Sequence, residues 1–210
     1  RGVTEYSSSR FSILPQYSEL LMEDFEIGAR NQYFDPEILK HKDVLAIAKT
    51  GSGKTASYVL PLLMNLEKPV KKKNRFVRSL ILVPTRELAV QVKDVIQTFS
   101  AGLNYPIKSL AVFGGVSINP QMKAISGTDI LIATPGRLLD LMSSNAVHLS
   151  DVECLVLDEA DKMLNLGFKA EMDKIFRLLP TRRQNLLFSA TLKDDLHAIT
   201  PIVLKNPVIV

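Results

Sequence analysis

Short apolar runs recur along the chain: Val44 to Ala48, Ser79 to Val83, Ser109 to Phe113, Asp129 to Ala133, Cys154 to Leu157, Asn185 to Phe188 and Val208 to Val210. They are nearly continuous and do not alternate. That is the pattern of strands buried on both faces of a parallel sheet. Helical stretches lie between them, such as Lys54 to Leu66 and Arg86 to Phe99. In the second, Leu88, Val92, Val95 and Ile96 mark one apolar face. This alternation predicts an α/β fold over residues 36–210, with three layers around a mostly parallel central sheet. Residues 1–35 read as an appendage, with Ser7, Ser8 and Ser9 followed by a helical pattern around Glu19 to Phe25. No internal repeat or long linker interrupts the chain. In such folds ligands bind beyond the carboxyl ends of the strands, so the chemically active residues should fall there.

A length of 210 residues suits one large domain with an appendage. The 46% apolar and 23% charged fractions exclude a wholly disordered chain. No apolar run approaches the ~18 residues of a membrane span, and no signal-peptide pattern opens the sequence. The single cysteine, Cys154, leaves no internal disulfide and no cysteine-rich zinc site. A reducing compartment follows: the cytoplasm, or in a eukaryote also the nucleus or nucleolus. The net charge of +4 changes the picture little. Lys68, Lys71, Lys72, Lys73, Arg75 and Arg78 form one run without an acid, and these six leave the rest of the chain at −2. Such a run reads first as a solvated surface loop.

The run Val44 to Ala48 leads into Lys49-Thr50-Gly51-Ser52-Gly53-Lys54-Thr55 and then a helix. This is nearly a P-loop, with Ala48 where the strict motif has glycine. Its backbone N–H groups and the helix N-terminus would cradle phosphate. Lys54 would reach the β- and γ-phosphates of a nucleotide such as ATP, and the Thr55 hydroxyl would bind Mg²⁺. A second strand, Leu155 to Leu157, ends in Asp158-Glu159-Ala160-Asp161. Asp158 stands where a Walker B aspartate holds Mg²⁺, and Glu159 can act as general base toward water. Acids in a helix first turn are the alternative reading of that stretch.

Together with Pro84-Thr85-Arg86-Glu87-Leu88-Ala89, Gly114-Gly115, Thr134-Pro135-Gly136-Arg137 and Ser189-Ala190-Thr191, these motifs resemble the DEAD-box family of ATP-dependent RNA helicases. The family's first motif often begins with alanine, which accounts for Ala48. The stretch from Val112 to Phe188 looks like the bacterial RhlE subgroup, as in Phe113 to Pro120. The resemblance covers residues 36–210 and implies the first of two RecA-like domains, with nothing after Thr191 like the second. The chain is therefore expected to be an N-terminal domain or fragment.

The resemblance also implies roles. Pro84, Thr85, Arg86, Gly114, Gly115, Thr134, Pro135, Gly136 and Arg137 would hold an RNA backbone without reading base sequence. Proline at the first helical position and free N–H groups make the Thr134 segment an anion site in its own right. Ordinary helix N-termini with surface ion pairs are the alternative for Arg86 and Arg137. Ser189 and Thr191 would couple hydrolysis to domain movement, and their hydroxyls could bond the acids of 158–161. Adenine would be read by Phe11 and by Gln32 or Asn31, in a degenerate form of the family's motif. The protein would remodel or unwind short RNA duplexes when joined to its second domain. A nucleotide-gated RNA clamp and a P-loop ATPase acting on something else are the competing readings. His41, His148 and His197 share no metal-ligand spacing and read as surface or loop residues.

Overall fold

The computed structural model describes residues 36–48, 53–66, 74–191 and 194–210. Seven strands form one sheet: β1 (Val44–Ile47), β2 (Ser79–Leu82), β3 (Ser109–Val112), β4 (Ile130–Ala133), β5 (Cys154–Leu157), β6 (Gln184–Ser189) and β7 (Val208–Ile209). Each follows one of the apolar runs, and the main difference is β6, which extends to Gln184 and Ser189. Its spatial order is β3-β4-β2-β5-β6-β1-β7, and every strand pair is parallel.

The helices are α1 (Pro36–Leu39), α2 (Lys54–Asn65), α3 (Arg86–Ser100), α4 (Ile118–Ala124), α5 (Pro135–Ser143), α6 (Ala160–Asn165), α7 (Lys169–Leu178) and α8 (Asp194–Val203). Successive strand residues point to opposite faces, so β1 to β6 each feed two cores, while the edge strand β7 lies outside both. Val44, Ala46, Ile81, Val156, Leu186 and Phe188 pack with α1, α2 and α3. Leu45, Leu80, Leu82, Leu155, Leu157 and Leu187 pack with α5, α6, α7 and α8. This is the three-layer RecA-like arrangement, and it explains why the strands read as continuous apolar runs.

The ends of the strands opposite the candidate site are stapled by polar groups. Asp43 accepts from the backbone N–H of Asn185 at 2.7 Å, from Asn185 Nδ2 at 3.0 Å and from the N–H of Lys205 at 2.7 Å. Gln184 Nε2 donates to the carbonyls of Ile38 and Lys42. Among the described residues, no helix is long and apolar enough to cross a membrane. His41 lies exposed in the turn after α1. His148 lies in the loop between α5 and β5, where it is half-buried with its ring 4.7 Å from that of Phe76. The side chain of His197 lies outside the described residues.

Candidate functional site

Gly53 has φ 82° and ψ 9°, a left-handed backbone that favours glycine, and it turns the chain into α2. Lys54 is the first helical residue. Its side chain is buried, and its ammonium has no hydrogen-bond partner among the described residues. A buried cation is costly without negative charge beside it, and with no hydrogen-bond partner among the described residues this ammonium suits a bound anion. The free N–H groups at the start of α2 favour the same ligand. Ala48 follows β1 directly, its N–H donating to the Ser189 carbonyl at 3.0 Å. Thr50, Gly51 and Ser52 lie outside the described residues, as do Phe11, Asn31 and Gln32.

Sheet order brings the acids to this lysine. β6 lies between β1 and β5, with Ile47 in register with Ser189 and Leu157 with Leu187. Asp158, just past β5, is only 2% exposed. Burial holds its carboxyl above the ordinary carboxylate range, opposed by a hydrogen bond from Tyr58 and by the charge of Lys54. The Tyr58 hydroxyl donates to Asp158 Oδ2 at 2.9 Å. Burial, then the charge of Asp158, pushes the Tyr58 phenol well up, so it remains a donor at neutral pH. Glu159 has φ 52° and ψ 50°, unusual for a residue with a side chain, and pairs with Lys162 at 3.4 Å. Thr191 Oγ1 donates to Asp161 Oδ2 at 3.0 Å, so one of the two expected hydroxyls does reach an acid. Ser189 does not: its hydroxyl donates to the Thr191 carbonyl at 2.8 Å and shapes the turn instead.

The residues ascribed to RNA gather on the other half of the same edge, beyond β2, β3 and β4. Thr85 caps α3 by accepting from the Leu88 N–H at 3.3 Å. Arg86 lies over the Phe113 ring, 5.4 Å from its centroid. Pro84 joins β2 to that cap. Gly115 is left-handed at φ 78°, and a Cβ at Gly114, Gly115 or Gly136 would meet nothing within 4 Å. Packing within the described residues therefore does not demand glycine at Gly114 or Gly136. Thr134 and Pro135 open α5, where Thr134 makes no side-chain cap. Arg137 is 8% exposed; Nη2 donates to the Val116 carbonyl at 2.8 Å. Nε faces Asp140 at 3.6 Å, an ion pair too long to be a hydrogen bond, and Nε and Nη1 have no hydrogen-bond partner among the described residues.

Two participants escaped the sequence reading. Tyr58 was legible in principle: a tyrosine on the buried face of an apolar helix needs a partner for its hydroxyl. Gln121 had no such signal. Its side chain accepts from the Phe113 N–H at 2.9 Å and donates to the Phe113 and Ser117 carbonyls, bracing the glycine loop.

A family model described as DEAD/DEAH box helicase matches residues 32–199. The chain belongs to this family. Its helicase relatives include the ATP-dependent RNA helicase dbp10 of Schizosaccharomyces pombe, 44% identical over 83% of this chain and 20% of the relative. The DEAD-box ATP-dependent RNA helicase CshA of Streptococcus pneumoniae is 44% identical over 82% of this chain and 32% of its own length. RhpA of Helicobacter pylori, of the same description, is 40% identical over 82% and 34%. A solved DEAD box protein from Methanococcus jannaschii superposes with a TM-score of 0.73 at 37% identity, over 83% of this chain and 46% of that one. The chain thus spans between about a fifth and a third of these curated relatives' lengths. Fungal and bacterial helicases match it similarly, which fixes the DEAD-box family and not the RhlE-like subgroup. Membership implies use of a nucleotide, to which the buried cation of Lys54 is chemically suited.

Proposed function

We propose that this chain is the ATP- and RNA-binding half of an ATP-dependent RNA helicase, which works with Mg²⁺ and a second RecA-like domain. The observation that carries this reading is the buried ammonium of Lys54 at the start of α2, without a hydrogen-bond partner among the described residues and electrostatically coupled to buried Asp158. In this reading Ala48, Thr50, Gly51, Ser52 and Gly53 form the phosphate loop with Lys54. Phe11 and Gln32 or Asn31, in the segment 1–35, take the adenine. Thr55 and Asp158 hold Mg²⁺, which when bound neutralises charge on the phosphates. Glu159 takes a proton from the attacking water. Ser189 and Thr191 link the acids to the end of β6.

Pro84, Thr85, Arg86, Gly114, Gly115, Thr134, Pro135, Gly136 and Arg137 bind RNA through phosphate and sugar. Support comes from the cationic groups and the open space over the glycines on that half of the edge. The buried thiol of Cys154 suits a reducing compartment: the cytoplasm, or a nucleus or nucleolus.

The test is calorimetry with ATP and Mg²⁺ on this chain and on its Lys54→Ala variant, together with RNA-stimulated phosphate release from a chain extended by the second domain. Lys54→Ala should lower nucleotide affinity sharply, and RNA should raise turnover. Unchanged affinity in the variant would refute the phosphate site. RNA retention without turnover would favour the clamp.

A further inference from the structure

Tyr58 is fully buried on α2, and its hydroxyl reaches across the layers to Asp158 Oδ2, a residue 100 positions away. The ring leans on Phe188 of β6 with centroids 5.0 Å apart and planes at 46°. The strand between the two halves of the site therefore sets the height of the phenol. Thr55 stands one turn earlier on the same helix, α2. Tyr58 thus ties α2, the helix that carries Thr55, to the metal-assigned acid beyond β5.

A buried carboxylate on a short side chain can rotate, and each rotation presents a different oxygen to a ligand. A fixed donor removes that freedom and leaves one orientation. We propose that Tyr58 is a positioning residue for Mg²⁺: its phenol locks the rotation of Asp158. This inference rests on the nucleotide–Mg²⁺ reading of the site. Groups that orient metal-binding carboxylates typically change metal affinity by about 10–100-fold when removed.

Tyr58→Phe deletes one hydroxyl and keeps the ring on Phe188. The measurement is affinity of the 210-residue chain for the β,γ-imido analogue of ATP, titrated at a series of Mg²⁺ concentrations and again in EDTA. The variant should need about tenfold more Mg²⁺ for half-maximal tightening, with affinity in EDTA unchanged. A merely structural role would weaken binding equally with and without Mg²⁺. Asp158→Asn supplies the control for a folding defect: if Tyr58 acts through Asp158, adding Tyr58→Phe to that variant should shift the Mg²⁺ requirement no further. An unaltered Mg²⁺ requirement in Tyr58→Phe, or full additivity with Asp158→Asn, overturns the role of Tyr58 alone. Absence of any Mg²⁺ effect in the unmutated chain overturns the site reading and this inference together.

Discussion

Glu159 holds a left-handed backbone at φ 52°, a conformation that costs a residue with a Cβ about 1–2 kcal/mol. Asp158 before it is anchored by Tyr58, and Ala160 after it is buried at the start of α6, so the turn is fixed from both sides. Two substitutions separate backbone from chemistry. Glu159→Gly relieves the strain, less the small worth of the Lys162 pair and the entropy of glycine. Unfolding by urea should show a net gain of about 0.5–1 kcal/mol, while turnover is lost. Glu159→Gln keeps the strain and should leave the urea midpoint in place. Turnover should then fall by roughly 10²–10⁴-fold in the two-domain protein, the usual worth of a general base. The identity of Glu159 as a candidate was legible from an apolar run ending in acids. Its backbone was not, because positive φ at a non-glycine residue follows from what holds its neighbours.

At the scale of elements, β1, β6 and the approach to β7 are tied by one carboxylate. Removing it in Asp43→Ala strands two backbone N–H groups, those of Asn185 and Lys205, and an amide. At about 1–3 kcal/mol for each unsatisfied buried group, the chain should lose roughly 3 kcal/mol or more by denaturant titration. Asp43→Asn, which retains an acceptor, should lose less. Cys154 in β5 offers a second check on the sheet. Burial pushes its thiol well above the ordinary range, with Asp43 and Glu153 adding to the shift. A raised pKa leaves little thiolate at pH 8, so iodoacetamide should label Cys154 only as fast as the domain unfolds. Labelling at the rate of a free thiol would mean that β5 is not buried.

For the whole molecule, sheet order divides the edge where ligands bind. β1 and β6 carry Ala48, Lys54, Ser189 and Thr191 to one side of β5, and β2, β4 and β3 carry the RNA candidates to the other. Asp158 and Glu159 stand on β5 at the division. Arg86 and Arg137 therefore follow strands on the far side of the acids from Lys54 and are poorly placed to serve as arginine fingers. Such fingers are worth about 10³–10⁵ in rate. In the proposed reading a second domain supplies them. Residues 1–210 alone are expected to hydrolyse ATP slowly, bind RNA weakly and unwind nothing, and addition of that domain should restore RNA-dependent turnover. Steady-state phosphate release at saturating ATP and RNA compares the two directly; equal rates would mean that this chain completes the catalytic site.

The sequence by itself determined the local elements, because burial on both faces, glycine at a left-handed turn and a capping threonine are each dictated within a few residues. It also determined the residue types of the phosphate loop and the acidic strand end. Only the tertiary structure decided which strands are neighbours. The runs VLAI, SLIL, ILIA and CLVL are chemically interchangeable, and parallel pairing joins residues far apart in the chain, so no local pattern encodes the order. The contacts that depend on that order were equally hidden. Tyr58 meets Asp158 because its ring packs on β6, the neighbour of β5, and Thr191 meets Asp161 because β6 lies beside β5.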